Sequence, residues 1–469
     1  MGKNIVFLSI FDLTEVQFAI GQGLAERGHA IHWITTNELW TAWLVEQGVD
    51  RSAIQELVYS RSDFVSPDEK SRLVSEIVTA ESKADLTVNQ GLMMDRFVMY
   101  KNKPDINEYM LLYYRDVKRF LQQVHADFVF DEPTNSSELI TYLICCELGI
   151  PFLSPADMRI PPRRVLFYVG YGQGSTYAPT SPSHNDAESG RKLIQEFAES
   201  RSLPSFFNEL SRQKAVTVRK AAASSSNRLK LFFRGSRKSL THHDVSERLQ
   251  TVTRRVVNGF YMRRLRRYDS LDEISGRIAF YPLHVQPEAS IDVLGSFFSD
   301  QLKLIKDIRR SLPFDMTLVI KEHPHFLGLR GPSFFRQLCR LPNVKLVSYS
   351  VSAHDIYARA SLVFTVTGTA AYEAGLLGIP AITFVPMFFG GLSTVKCCSD
   401  VTKLKDLAFE MLQGMPRDLE ADSCLMADLV GRSFEGYWTD PLFDPSVLDP
   451  DNIRLLREAF VSVVEGSAG

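Results

Sequence analysis

Residues 362–384 read LVFTVTGTAAYEAGLLGIPAITF, and this stretch decides the fold. An apolar run (LVFTV) meets a Thr-Gly-Thr turn, then a helix-compatible segment (TAAYEAGLLG), then a second apolar run opened by Pro380. Strand, turn, helix, strand is the grammar of a parallel sheet with helical crossovers. In such a sheet the ligand lies just outside the carboxyl ends of the strands. Thr367, Gly368 and Thr369 stand at that position, where the first N–H groups of the helix and the positive end of its dipole form an anion site. Glu373 falls about one turn further along, where a carboxylate can accept hydrogen bonds from a ribose diol. The plainer alternative is a structural turn followed by an acidic residue favoured by the dipole.

The same grammar runs upstream from Ile278: IAFYPL, SFFSDQLKLIKDIRRSL, MTLVIKEHP, NVKLVSY and SAHDIYARA. It supplies two more strand ends. FYPLHVQPEASI brings Gln286, Pro287 and Glu288 out of one strand, and LVIKEHPH brings out Lys321, Glu322 and His323. Lys321 and His323 share a side if the strand continues, and Pro324 fixes the chain as it leaves the sheet. A cation and an imidazole aimed together can neutralise charge developing on a departing phosphate.

The amino-terminal half repeats the pattern independently. IVFLSI reads as a strand, VQFAIGQGLAERG as a helix stopped by Gly28, and AIHWIT as a second strand. Gly21 and Gly23 fall inside that helix, so they indicate close packing and no dinucleotide fingerprint is present. ADFVFDEPTNSSELITYLICCELGIPFLSP adds strand, loop, a helix ending at Gly149, and strand. The expected fold class is therefore α/β: two Rossmann-like domains with a cleft between them and a basic helical insertion. The expected divisions are 1–182, an amino-terminal domain; 183–275, the insertion; 276–445, the second domain; and 446–469, a carboxyl-terminal helix.

Composition bounds the rest. The chain has 469 residues, 45% apolar and 23% charged, with a net charge of -2, which describes a folded chain of about two domains. Residues 211–267 stand apart, holding 16 Lys and Arg against Asp244 and Glu247, a balance of about +14. Either this is a solvated helical face, or it attracts an anionic partner, an inner-membrane lipid surface or a polyanionic glycan. No helix-turn-helix, zinc or aromatic-interleaved reader accompanies the charge, so no nucleic acid is expected. Asp12 and Glu15 interrupt the apolar start, which argues against a signal peptide. The apolar stretch 360–391 contains Glu373, glycines and prolines, which argues against a membrane span. Six cysteines without metal spacing fit a reduced, cytoplasmic protein, peripheral at the inner membrane if the basic segment binds lipid.

Taken together, YPLHVQPE, KEHPH and GTAAYEAGLLGIPAITF resemble the bacterial capsule polysaccharide biosynthesis family of glycosyltransferases, with its QP and HP motifs and Glu-Ala-small-Leu-Gly-x-Pro segment. The resemblance covers about residues 278–391. It implies a GT-B arrangement, with the acceptor on the amino-terminal domain and a nucleotide sugar on the other; well-understood relatives transfer Kdo from CMP-Kdo. It also implies that Gln286 and His323 contact the nucleotide or its phosphate and that Glu373 binds the ribose. Two departures stand out: His284 and Glu288 flank the QP pair, and the Glu-Asp-Gly-Phe signature of the Kdo enzymes is absent. SPADMRIPPR, with Asp157 and Arg159, occupies that place.

Glycosyl transfer needs a base for the acceptor hydroxyl, or a carboxylate nucleophile in a double displacement. Asp12, Asp131, Glu132 and Asp157 lie near strand ends of the first domain; Asp157 and Glu132 are preferred, with Asp131 and His323 beside them. The donor side comprises Gln286, Glu288, Lys321, His323, Thr367, Gly368, Thr369 and Glu373. No DxD-like pair marks a donor strand end, so neither metal nor cofactor is expected, the nucleotide sugar being a substrate. The acceptor would be a growing capsular or surface polysaccharide or its lipid-linked form. Two rivals remain: a sugar-nucleotide 2-epimerase, and a non-catalytic glycan- or lipid-binding subunit of a capsule assembly.

Overall fold

The computed structural model describes residues 2–59, 63–95, 98, 103–177, 186–200, 249–250, 252–254, 256–258, 260, 268–323, 326 and 328–466. Most of the basic segment, and Pro324 and His325 of KEHPH, lie outside the described residues. The chain forms two α/β units: one from residues before 185 and after 428, the other from 186–200 and 249–428. The strands, in chain order, are β1 (Asn4–Ser9), β2 (Ala30–Thr35), β3 (Ile54–Glu56), β4 (Phe128–Phe130), β5 (Phe152–Asp157), β6 (Arg164–Val169), β7 (Arg277–Pro282), β8 (Met316–Lys321), β9 (Val344–Val347), β10 (Ala360–Thr365), β11 (Ala381–Thr383), β12 (Val395–Cys397) and β13 (Phe434–Glu435).

The first sheet has the order β13-β6-β5-β4-β1-β2-β3. Strands β1 to β5 pair in parallel, while β6 and β13 add antiparallel at one edge. Strand β1 is buried along nearly its whole length, as a parallel strand covered on both faces must be. Helix Leu13–Glu26 follows it, and Gly28 (φ 88°) turns the chain left-handed at its end, as Gly149 (φ 69°) does after helix Ser136–Leu148. A Cβ on Gly21 would stand 3.3 Å from Ile31 Cγ2, and one on Gly23 2.6 Å from Arg457 Cδ, so both glycines serve close packing.

Helix Pro450–Gly466, at the far end of the chain, completes this unit's core. Leu456, Phe460, Val463 and Val464 are fully buried. The Phe460 ring lies 4.9 Å from Phe130 and from Phe167, 5.7 Å from Trp438 and 6.1 Å from Phe7, and Arg457 Nε donates to Ala19 O at 2.7 Å.

The second sheet is wholly parallel, with the order β12-β11-β10-β7-β8-β9. Strands β7, β8 and β9 run out one way and β10, β11 and β12 the other, so the strand order reverses between β7 and β10. The helix read from SFFSDQLKLIKDIRRSL begins later than its pattern suggested, at Gln301, because Asp300 caps it by accepting from Lys303 N (2.9 Å). The preceding Ser296–Phe298 is a separate 3₁₀ turn. Among the described residues no helix is long and apolar enough to cross a membrane.

The position of Phe460 generates a test of the first unit. Phe460→Ala removes a ring shared by all four of these aromatic neighbours and should cost about 3–5 kcal/mol, seen as a lower urea midpoint. A loss below about 1 kcal/mol would show that the last helix is peripheral to that core.

Candidate functional site

The carboxyl ends of the second sheet meet in one row. Pro282 of β7 pairs with Lys321 of β8, which pairs with Val347 of β9. Thr365 of β10 stands two residues beyond the Val363–Phe280 pair, level with Pro282, and pairs with Thr383 of β11. The three strand ends singled out in the sequence are thus adjacent, at the reversal of strand order where open α/β sheets bind ligands.

His284 joins them. Its Nε2 lies 3.0 Å from Val366 N and 3.1 Å from Thr365 Oγ1. Because Val366 N–H can only donate, Nε2 must carry the lone pair, which assigns the neutral Nδ1–H tautomer. Burial, then the charges of His323 and Arg330, depress this imidazole to a pKa of about 3. The backbone of the same residue is held twice by Gln301, which accepts from His284 N (2.8 Å) and donates to His284 O (3.1 Å), and once by Arg330 Nη2 (2.8 Å). Sequence reasoning noted His284 only as a flank of the QP pair; its place two residues past a strand end was the available signal.

The turn after β10 follows from this contact. Gly368 N donates to Thr365 Oγ1 (3.0 Å). Its φ of -76° is ordinary, but a Cβ there would stand 2.5 Å from that hydroxyl and 3.3 Å from His284 Cε1, so close approach demands glycine. Thr369 opens helix Thr369–Leu376. Thr367 Oγ1, in the turn, is buried and has no hydrogen-bond partner among the described residues.

Glu373, four residues into the helix, is buried, and the Tyr357 hydroxyl is hydrogen-bonded to it; burial first, then that carboxylate, pushes the phenol well up. Lys321 is buried as well. Burial lowers its ammonium to about 8, against the opposing pull of Glu373 and Asp355. Lys321 and Glu373, predicted separately, belong to one electrostatic group.

The other donor-side candidates are tied into the frame. Gln286 Nε2 donates to Asp292 Oδ1 (2.7 Å) and Ser299 O (2.8 Å), and its Oε1 accepts from Gln301. Glu288 caps the short turn Ala289–Asp292, its N–H donating to Asp292 Oδ2 (2.9 Å). His323 N donates to Glu322 Oε1 (2.8 Å), while Glu322 Oε2 accepts from buried Arg330 Nε (3.0 Å). Beside the end of β9 opens a cavity of about 530 Å³, bordered by Tyr268, Asp269, Ser348, Ser350, Ser352 and Asp355.

In the first unit the proposed carboxylates separate. Asp131 is buried at the end of β4; its Oδ1 accepts from Glu132 N (2.8 Å) and its Oδ2 has no partner among the described residues. Burial, then Glu138, hold it well above the usual carboxylate range. Glu132 is half-buried, with Oε2 accepting from Trp438 Nε1 (3.3 Å). Strand β5 runs past β4: Asp131 N donates to Leu153 O, and Asp157 lies four residues beyond Leu153, about 13 Å along the strand. Asp157 is half-buried; burial raises its pKa, while the Arg159 N–H that it accepts (3.1 Å) and the Arg159 charge offset part of the rise. Arg159 itself takes a left-handed φ of 69°. No group of three or more His, Cys, Asp or Glu among the described residues is placed to hold a metal ion.

A scan against family models finds no match, and a search of curated proteins finds none. Among solved structures the chain is similar to the β-Kdo 2,7-transferase KpsC of Thermosulfurimonas dismutans, with 15% identity, a TM-score of 0.37, and 78% of this chain and 97% of that chain covered. It is similar also to UDP-GlcNAc 2-epimerase of Methanocaldococcus jannaschii in complex with UDP-GlcNAc and UDP, with 12% identity, a TM-score of 0.31, and 92% and 98% covered. A glycosyltransferase of Rickettsia africae matches with 9% identity, a TM-score of 0.29, and 99% and 100% covered.

The histidine bridge predicts a specific acid response. Its folded pKa of about 3 lies below the unfolded value of about 6.5. Between the two the unfolded chain binds a proton that the folded chain refuses, so this contribution to stability is full above about 6.5 and declines as pH falls. His284→Ala should cost about 1–3 kcal/mol by orphaning Val366 N–H. His284→Gln, which keeps an acceptor, should recover part of that loss and show a shallower fall in acid. Urea titrations across the acid range measure this; parallel falls in parent and His284→Gln would remove the assignment.

Proposed function

We propose that the chain is a GT-B glycosyltransferase that moves a sugar from a nucleotide-sugar donor, CMP-Kdo or one like it, to a growing capsular or surface polysaccharide or its lipid-linked acceptor. One observation supports this reading most: at the reversal of strand order, a helix amino terminus, a Thr367 hydroxyl without a partner among the described residues and the Lys321 ammonium stand at adjoining strand ends, with the Glu373 carboxylate one turn into that helix. That combination suits a phosphate joined to a ribose. In this proposal the helix N–H groups and Thr367 Oγ1 donate to phosphate oxygens, Lys321 balances their charge, and Glu373 accepts from the ribose. Gln286 and Glu288 are assigned to holding the loop, and His323 to the phosphate side.

The chemistry then needs little more. An acceptor hydroxyl oxygen bonds to the anomeric carbon as the carbon–oxygen bond to the donor phosphate breaks, and the electron pair leaves on the phosphate. The hydroxyl proton passes to a carboxylate, for which Asp157 is the better choice. It is half-buried, and burial raises its pKa and so the basicity of its carboxylate, whereas Asp131 is closed off and Glu132 is engaged by Trp438. Asp131 would act by positioning Glu132 through its N–H.

A thermal-shift series with CMP, CDP, UDP and GDP derivatives tests the donor side, since a ligand of the folded state raises the melting temperature. One nucleotide class should stabilise the parent. Glu373→Gln and Glu373→Ala should weaken that binding about tenfold or more, while Asp157→Asn should bind as the parent does yet lose turnover. Undiminished binding by both Glu373 variants would move the donor elsewhere.

Charge at the phosphate is assigned to Lys321 and the helix terminus, so transfer should persist in EDTA. Complete loss with chelator, restored by magnesium or manganese, would require a metal-bound donor phosphate instead.

A further inference from the structure

The loops that leave β7 and β8 part after one contact. Pro282 pairs with Lys321, and Leu283 N donates to Lys321 O at 2.9 Å; among the described residues no backbone hydrogen bond joins the two loops beyond that point. A buried guanidinium takes over. Arg330 Nη2 donates to His284 O (2.8 Å) in one loop, and Arg330 Nε donates to Glu322 Oε2 (3.0 Å) in the other. Both members of that ion pair are buried, and the guanidinium lies over the Phe326 and Phe334 rings. Gln301 holds the same His284 carbonyl (3.1 Å), but of the two Arg330 is the one that also reaches the loop after β8.

Each link continues to a group assigned above to the phosphate. His284 Nε2 accepts from Val366 N (3.0 Å) and so carries the first link to the turn that holds Thr367 and opens helix Thr369–Leu376. Glu322 Oε1 accepts from His323 N (2.8 Å) and carries the second to His323. Glu373, assigned to the ribose, is met instead by the Tyr357 hydroxyl.

We infer that Arg330 is a positioning residue for the donor's phosphate, setting the spacing between the turn after β10 and His323 from behind the site. The inference rests on the reading that a nucleotide phosphate occupies these strand ends. A guanidinium suits the task because its planar fork presents several donors in fixed directions, one to a carbonyl and one to a carboxylate, at a set separation. The point charge of a lysine can answer Glu322 or the His284 carbonyl. It cannot hold both at that separation.

Titration of the full chain with CMP and cytidine, UDP and uridine, and GDP and guanosine tests it, since the members of each pair differ by phosphate alone. The parent should bind one nucleotide more tightly than its nucleoside. In Arg330→Lys that preference should fall about tenfold or more, the scale of a lost hydrogen bond to a charged group, while the nucleoside binds as it does to the parent. Removing the guanidinium outright would leave Glu322 buried and unpaired, so Arg330→Met is made together with Glu322→Gln, a neutral pair that should fold and show the same fall. Glu373→Gln should weaken nucleotide and nucleoside alike and keep the preference. The inference alone is overturned if the parent binds a nucleotide and the Arg330 variants keep its preference while only their melting temperature drops. It is overturned too if those variants lose nucleoside and nucleotide in equal measure. If the parent binds none of the three nucleotides, the reading beneath the inference fails, and the inference with it.

Discussion

The second unit depends on one contact, the His284 ring against the first backbone N–H beyond β10. Strands β7 and β10 are neighbours in the sheet but about eighty residues apart in the chain. Their ladder stops where β10 enters its turn, and Val366 N–H must find an acceptor there or remain a buried orphan. The imidazole supplies it, and in doing so holds two strand ends at a fixed spacing. Its own backbone is locked by Gln301 and Arg330, so the ring has little freedom to leave. Gly368 follows from the same contact, since a side chain there would collide with Thr365 and the histidine.

Keeping that ring neutral shapes the charges around it. Arg330, whose charge reaches the ring, is directed to Glu322 and lies over the rings of Phe326 and Phe334, 4.9 and 4.7 Å from its guanidinium. An arginine buried with one carboxylate and two aromatic faces is satisfied without turning to the imidazole. Lys321 is as deeply enclosed as Arg330. Burial lowers its pKa while Glu373 and Asp355 pull the other way. The strand-end row therefore holds two buried cations, one ion-paired with Glu322 and the other in the field of Glu373 and Asp355.

The first unit handles buried acidity differently. Asp95, Asp131 and Glu138 are all enclosed near the end of β4. Glu138 accepts from Thr134 (2.9 Å), Asn135 (3.2 Å) and Ser137 (2.7 Å), and Asp95 from Ser136 Oγ (2.6 Å). These donors stand at the start of helix Ser136–Leu148, whose dipole favours acidic groups there. Asp131 lies in the same neighbourhood with one oxygen unsatisfied and is pushed well toward its neutral form. This separates it from Asp157, which sits on the longer strand and is less enclosed. The DEPTNS loop, which reads as a source of reactive carboxylates, is in large part a device for holding acids in the interior.

Local elements were legible in the chain alone. The alternation of short apolar runs with 3.6-period segments identified the strands and the Thr369–Leu376 helix, and Gly28 and Gly149 marked helix ends, because periodicity and left-handed turns are properties of neighbouring residues. Lys321, Thr367, Gly368 and Glu373 were picked out in the same way, since residues that leave parallel strands must share one end of the sheet. How each of them is held there emerges from the folded chain. The level row of Pro282, Lys321 and Thr365, the engagement of Gln286 by its own loop, and the distance between Asp131 and Asp157 depend on register. Register is set by pairing and packing between residues far apart in the chain. The antiparallel β6 and β13, and a last helix seated in the first unit's core, were equally beyond a local pattern. An amphipathic helix shows that it has an apolar face, and what that face meets is settled by the rest of the fold.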